Sequence, residues 1–523
     1  MPTRGYAHHG TGVQRASART TTDLLPLLGG SDNVVTVTHC LTRLRLTLAD
    51  HHAINDTAPR DHPAVLGRLH RDNALHLIVG PAAAVPLARA CTELLTDHAE
   101  QPQHRVDRLV TEQHWESDHV TTQRDQAQDL REAMVRQLQD WGDLHSDSVA
   151  EALRTVPRHL FAPGESLEDV YAANQAVVTK RDEQGLATSS LSATHIQVTM
   201  LEQAQLQPGM RVLEVGSGGY NAALLAELVG EAGTVVSLDI DGDIVERARS
   251  CLQTAGYERV RVVHGDAEHG HAPEAPYDRI IVTAGAWDIP PAWIEQLAPG
   301  GRIVVPLRMR GLTRSVVFAH DEDHLVSTGY RLCGFVPMQG ASAREERLIP
   351  LDGSEVALRV EEEQLLDVTG LQKSLQQPRL ERWPDVEFSY PDETHFWIAT
   401  QAPVFGLLAA RQDAIERGLV TRSAQRGVPT LIRGASFAYR TKRPLEGGDT
   451  FENGVYAHGP EAEAVAEDYV ELLRRFDRDL RGGPGARIEV FPATRPTSEL
   501  PRGRVIEKKH TRVVVSWPGA REL

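Results

Sequence analysis

The sequence predicts an α/β fold: a parallel sheet covered by helices on both faces, with a small α+β domain before it and an α+β domain after it. Three observations carry this. Arg211 to Asp241, RVLEVGSGGYNAALLAELVGEAGTVVSLDID, reads as strand, glycine turn, helix and strand. Two further stretches, Val260 to Glu268 and Ala275 to Leu307, continue the alternation of strand and helix, which implies a parallel sheet. Beyond residue 340, the strand-like runs PTLIRGASFAYRTK, ARIEVFP and TRVVVSW surround one amphipathic helix, Glu461 to Leu480.

Each part of the Arg211 to Asp241 unit has a physical reason. Val212, Leu213 and Val215 form an apolar run that breaks at Gly216, Gly218 and Gly219. Ala222, Leu225, Ala226 and Val229 then recur at helical spacing, and Val235 to Leu238 make a second strand ending in Asp239. Such glycines let backbone approach a ligand closely, although they also serve tight strand–helix packing. An acid about 20 residues beyond a glycine turn can accept ribose hydroxyls, so the pair points to a nucleotide-type ligand. Ligands in these sheets bind at the carboxyl ends of the strands. Asp239, Asp266 and Thr283 all fall at strand ends and are expected to face one crevice.

A chain of 523 residues should hold about three domains. Its net charge of −17, from 55 basic and 72 acidic residues, argues against nucleic acid and anionic membranes as partners. Cys40, Cys91, Cys251 and Cys333 are far apart, so neither a disulfide framework nor a metal site is indicated. No apolar run approaches the ~18 residues of a membrane span, and the first residues lack the apolar core of a secretory signal. A cytoplasmic protein is expected.

Taken in order, residues 1–20 read as a flexible tail and 21–98 as a compact unit. Within it, GGSDNV (Gly29 to Val34), CLTRLR (Cys40 to Arg45) and LHLIVGP (Leu75 to Pro81) resemble the IIB domain of sugar phosphotransferase systems. That resemblance implies a phosphocysteine at Cys40. Arg43 and Arg45 suit it, since guanidinium groups stabilise a thiolate and pair with phosphate. A structural cysteine in a repurposed docking or regulatory module is the competing reading. Residues 99–128 are polar and Gln/His-rich, suiting a linker. A helical pattern then opens near Leu130, and Pro157 ends the helix that follows it.

Residues 129–340 resemble the protein L-isoaspartyl O-methyltransferase family, in MVRQL…VPRHLFAP, SLSATHI (Ser190 to Ile196), EVGSGGYNAALLAEL, GDA and APYDRIIVTAGAWDIPPAWIEQLAPGGRIVVPL. The resemblance implies a Rossmann-like core and S-adenosylmethionine as cofactor. It carries cofactor binding onto Glu214, Gly216, Ser217, Gly218, Gly219, Asp239, Ile240, Asp266, Ala267 and Thr283. Ser190, Leu191, Ser192 and Ala193 become the substrate loop, with Ser192 the catalytic residue that holds the substrate carboxylate. As bare sequence, Ser192 is also an ordinary turn hydroxyl. Two departures stand out: GSGGY is one residue shorter than the family's usual glycine loop, and Thr194 stands where the family's signature has proline.

Residues 341–523 are expected to form a substrate-specificity domain. FENGVYAHGP, GPGARIEVFPA and GRVIEKKHTRVVVSWP resemble the carboxyl-terminal part of lanthipeptide-associated (FxLD-system) homologues of that family. These are implied to esterify an aspartate in a cyclised, ribosomally made peptide, leading to succinimide or isoaspartate. The alternatives are general repair of isoaspartyl proteins and, in another class, a phosphorelay protein working through Cys40. The basic cluster Lys508, Lys509, His510 and Arg512 is expected either to meet an acidic peptide or to form a solvated strand face.

Overall fold

The computed structural model describes residue 28, residues 33–40, 43–48, 67–71 and 74–78, and residues 115–520 except 184, 186, 362–363, 389–391 and 446–449. The expected tail 1–20 and linker residues 99–114 lie outside the described residues. The chain forms two compact bodies, one built from residues 1–114 with 444–451 and the other from the rest.

The first body holds a four-stranded antiparallel sheet. Strands β1 (Val34–Cys40), β2 (Arg43–Leu48), β3 (Gly67–Arg71) and β4 (Ala74–Ile78) lie in the order β1-β2-β4-β3. Cys40 is the last residue of β1 and pairs in register with Arg43 across the hairpin. Its side chain lies outside the description.

The second body begins with helix α1 (Trp115–Asp140). It starts well inside the stretch expected as linker, because residues 115–128 hold helix-compatible Gln, Glu and Arg and neither Gly nor Pro. Helix α2 (Asp147–Thr155) and a hairpin, β5 (Val177–Arg181) with β6 (Ala187–Leu191), lead to helix α3 (Thr194–Ala204). The alternating core follows as β7 (Arg211–Val215), α4 (Tyr220–Val229), β8 (Thr234–Asp239), α5 (Gly242–Thr254), β9 (Arg261–His264) and β10 (Tyr277–Val282). The strands of this core are parallel, and β10 also pairs in parallel with β11 (Leu297–Met309). Helix α4 is apolar nearly all round and almost wholly buried, as a helix packed on both sides must be.

Residues 341–523 do not stand apart from this sheet, although a boundary at 340 was expected. After antiparallel β12 (Leu312–Asp321) and β13 (His324–Leu332), the sheet continues with β21 (Arg487–Pro492), β23 (Thr511–Ser516) and β22 (Arg504–Glu507). The result is one ten-stranded sheet, joined where Leu325 pairs with Val490. The intervening chain makes a second, seven-stranded sheet: β14 (Arg347–Asp352), β15 (Val356–Val360), β16 (Leu380–Arg382), β17 (Phe405–Ala410), β18 (Val428–Arg433), β19 (Ser436–Pro444) and β20 (Phe451–His458).

Helices α6 (Asp392–Gln401) and α7 (Ala462–Arg475) share one apolar core with both sheets. The predicted stripe on α7 is that core: Val465, Ala466, Tyr469, Val470 and Leu473 are buried. Trp397 Nε1 donates to the Leu472 carbonyl at 2.9 Å, and Trp517 Nε1 to Thr400 Oγ1 at 2.9 Å, so buried indole N–H groups are satisfied where the layers meet. Among the described residues no helix is long and apolar enough to cross a membrane.

Candidate active site

The predicted residues converge at the carboxyl ends of β7, β8 and β10. Glu214 is fully buried near the end of β7. One carboxylate oxygen accepts Asn221 Nδ2 at 2.8 Å, and the other accepts the Ser237 hydroxyl. Burial pushes the Glu214 carboxyl up to about 7, against the opposing pull of those two bonds.

Gly216 turns the chain at φ 94°, and a Cβ there would lie 2.5 Å from Thr283 Oγ1. Only glycine fits that approach. The Thr283 hydroxyl sits 3.0 Å from the Gly216 carbonyl and 3.1 Å from that of Val215, fixing β10's end against the loop. Gly219 is the N-cap of α4. The shortened loop therefore still delivers the chain from strand to helix.

Asp239 ends β8 and accepts the Ser217 amide at 2.8 Å on one oxygen and the Asp241 amide at 2.9 Å on the other. Each oxygen keeps lone-pair capacity for a further donor. Burial raises this carboxyl above its ordinary value, and the amide bonds oppose the rise. Asp266 follows β9. Its oxygens accept the amides of Glu268 and Ala341, each at 2.9 Å. The Ala267 carbonyl accepts Trp293 Nε1 at 2.7 Å, and the Ile240 carbonyl lies 3.0 Å from His264 Nε2.

The hairpin β5–β6 borders the glycine loop. Leu191 Cδ2 lies 3.2 Å, and the Ser190 carbonyl 3.8 Å, from where a Cβ at Gly218 would stand. Ser192 and Ala193 join β6 to α3, with Ala193 as N-cap. Ser192 is half-buried, and Thr194, which stands where the family's signature has proline, is fully buried with its hydroxyl unpartnered among the described residues.

Several residues that hold the site together were not found by sequence reasoning. Arg158 is fully buried and donates to the carbonyl of Val170, to Gln197 Oε1 and to the carbonyl of Ser192, each at 2.8 Å. Its guanidinium carbon is 4.8 Å from the Tyr220 ring centre. Lys180, on the hairpin, reaches Asp241 at 2.7 and 2.9 Å and Asp243 at 2.7 Å. Gly340 closes over the Asp266 side: at φ 76°, its Cβ would lie 2.5 Å from both Asp266 Oδ2 and Ile240 Cδ1. A polar residue after Pro157, a lysine on a hairpin and a glycine far along the chain carry no periodic signal.

The basic cluster near the carboxyl terminus is neither a solvated face nor a free docking patch. Lys508 is buried and donates to the Arg308 carbonyl at 2.8 Å. Lys509 Nζ and His510 Nε2 reach Glu268 at 2.5 and 2.7 Å, and the Ser342 hydroxyl bonds the same carboxylate. Arg512 pairs with Glu507 at 2.8 Å. Burial alone would raise the Glu268 carboxyl, but bonds from Lys509, Ser342 and His510 outweigh it and hold it down to about 2. The extension thus grips the loop that carries Asp266.

The sequence model of the family described as protein-L-isoaspartate(D-aspartate) O-methyltransferase matches residues 128–343. That of the phosphotransferase system EIIB matches residues 22–55. A protein-L-isoaspartate O-methyltransferase of Methanopyrus kandleri is 39% identical over 219 residues, 41% of this chain and 94% of the relative. A second, from Archaeoglobus fulgidus, is 40% identical over 211 residues, 40% of this chain and 93% of the relative. A solved protein-L-isoaspartate O-methyltransferase aligns with a TM-score of 0.41 at 22% identity, over 74% of this chain and 99% of that one.

Proposed function

The chain belongs to the protein-L-isoaspartate(D-aspartate) O-methyltransferase family, and on that premise we propose that it esterifies an aspartate carboxylate in a cyclised, ribosomally made peptide of lanthipeptide type. It is a carboxyl O-methyltransferase of protein aspartate, and its cofactor is S-adenosylmethionine. The observation that supports the narrower substrate is the grip of Lys509 and His510 on Glu268, beside Asp266. An extension wired into the loop beneath the cofactor is suited to coupling substrate choice to the reaction.

The residues fit the cofactor on two counts. The Gly216 turn leaves no room for a Cβ, and Asp239 is aligned by two amides with capacity to spare. In this reading Glu214, Gly216, Ser217, Gly218 and Gly219 cradle the methionine portion. Asp239 and Ile240 take the ribose, Asp266 and Ala267 meet the adenine, and Thr283 braces the loop. When bound, S-adenosylmethionine supplies an electrophilic methyl group. A carboxylate is already ionised at neutral pH, so no general base is required of the chain. Ser192, with Ser190, Leu191 and Ala193 around it, holds one carboxylate oxygen and leaves the other free to attack. Positioning of this kind contributes roughly 7–11 kcal/mol at best. The next backbone N–H of the peptide then displaces methanol and closes a succinimide, whose hydrolysis gives aspartate or isoaspartate.

Mass spectrometry of cyclised peptides incubated with cofactor tests this. The expected product is heavier by one CH2, or lighter by one water, and isoaspartyl test peptides are poor substrates. The reverse preference would make the chain a general repair enzyme.

A second reading concerns the amino-terminal body alone. The EIIB match and the register pair of Cys40 with Arg43 support a phosphocysteine. Labelling by a phosphodonor that is lost in Cys40→Ser is the expected result if Cys40 carries phosphate, and absence of label leaves a docking module.

A further inference from the structure

Away from the cofactor crevice, a guanidinium is buried without an acceptor for its outer edge among the described residues. Arg440 lies on β19 and is 1% exposed. Its Nε donates to Asn453 Oδ1 at 2.5 Å. Asn453 is held in turn, its Nδ2 donating to the Glu387 carbonyl at 3.0 Å and its backbone amide to Val386 at 2.8 Å. Nη1 and Nη2 of Arg440 are buried with no hydrogen-bond partner among the described residues. Arg440 makes no ion pair among the described residues. The Phe388 ring centre lies 4.2 Å from its guanidinium carbon and 4.8 Å from the ammonium of Lys442.

Residues 440 and 442 share a face of the strand, and Lys442 is exposed, so the pair runs from the surface inward. Burial lowers Arg440 to about 10; Tyr469 opposes that fall and Arg481 adds to it. His395, half-buried on α6, is held well below its usual range by desolvation and by Arg440 and Arg314. Positive potential accumulates here, and unsatisfied buried charged donors are costly.

We propose that Arg440, with Lys442 and Phe388, forms a carboxylate subsite that anchors the peptide at a point separate from the aspartate being methylated. With Nε bonded to Asn453, the edge left to a ligand is the Nη1/Nη2 fork, whose two donors match the two oxygens of a carboxylate. The whole chain carries a net charge of −17, so an acidic peptide needs a local basic pocket to bind at all. The carboxylate is that of a glutamate or aspartate side chain, or of the peptide's carboxyl terminus. The subsite rests on the peptide reading above.

Fluorescence anisotropy on the intact chain with cofactor tests it. The probes are a labelled peptide carrying glutamates and a free carboxyl terminus, its glutamine counterpart, and its amidated counterpart. The acidic peptide is expected to bind about tenfold tighter than whichever counterpart lacks the recognised group, which identifies the source. Arg440→Lys and Lys442→Ala should each remove that preference, and Lys442→Ala, at an exposed position, should keep the native melting temperature. Equal binding of all three peptides overturns the proposal, as does a preference that survives both substitutions. So does competition by inorganic phosphate without peptide binding. Binding is read without methyl transfer, so failure to methylate counts against the proposed reaction and not against this subsite.

Discussion

The backbone carbonyl of Ser192 lies 2.8 Å from Nη2 of Arg158, a guanidinium wholly shut away from water. Through its other two bonds the same side chain holds Val170 and Gln197. One buried cation therefore sets where the substrate loop leaves β6 and enters α3.

Arg158→Lys keeps the charge and loses the fork. It should lower stability by about 2–4 kcal/mol, since three bonds to a charged donor cannot all be kept. Turnover should fall on the order of tenfold to a hundredfold with cofactor affinity little changed. Urea unfolding with steady-state kinetics checks this, and equal loss of cofactor affinity would show that Arg158 serves the glycine loop instead.

Asp239→Ala should weaken cofactor binding about a hundredfold, the loss of two bonds to an ionised acceptor. Ser192→Ala should instead slow transfer and leave calorimetric cofactor affinity near the wild-type value. A Ser192→Ala enzyme that fails to bind cofactor would remove Ser192 from its substrate role.

Glu214 makes stability fall with rising pH. Its carboxyl moves from an ordinary value of 4.5 up to about 7 in the folded chain, so the native state holds a proton that the unfolded state releases. That stabilisation is complete below about pH 4.5 and is lost as pH rises through about 7, on the order of 3 kcal/mol in all. Glu214→Gln should flatten the dependence. Melting curves across this window decide it.

Glu268 has the opposite sign. Its carboxyl is held at about 2 against 4.5, so its contribution is present above about pH 4.5 and is lost as pH falls towards about 2. Glu268→Gln should raise the cofactor dissociation constant roughly threefold to tenfold by loosening the Asp266 loop. Calorimetry at neutral pH measures this, and an unchanged constant would uncouple the extension from the cofactor.

The core from β7 to β10 was legible because continuous apolar runs, helical spacing and glycines are local signals. Asp239, Asp266 and Thr283 could be placed together because strand ends of a parallel sheet share one side. The sheet's extension was not legible: the pairing of Leu325 with Val490 joins residues far apart in sequence, and no local pattern announces which strands meet. Arg158 escaped for the same reason, as its partners lie on three separate segments. The lysines at 508 and 509 read as surface charge because their acceptors, the Arg308 carbonyl and Glu268, come from other parts of the chain.

The last three strands also change what the sheet offers its neighbours. Without them the sheet would end at β13, nine residues long, with its outer backbone groups unpaired. In the intact chain the terminal strand on that side is β22, four residues long and flanked by the charged ends Arg504 and Glu507. Short, charged terminal strands resist pairing with a second molecule. Cutting the chain before residue 487 would therefore leave the catalytic core prone to self-association rather than free-standing.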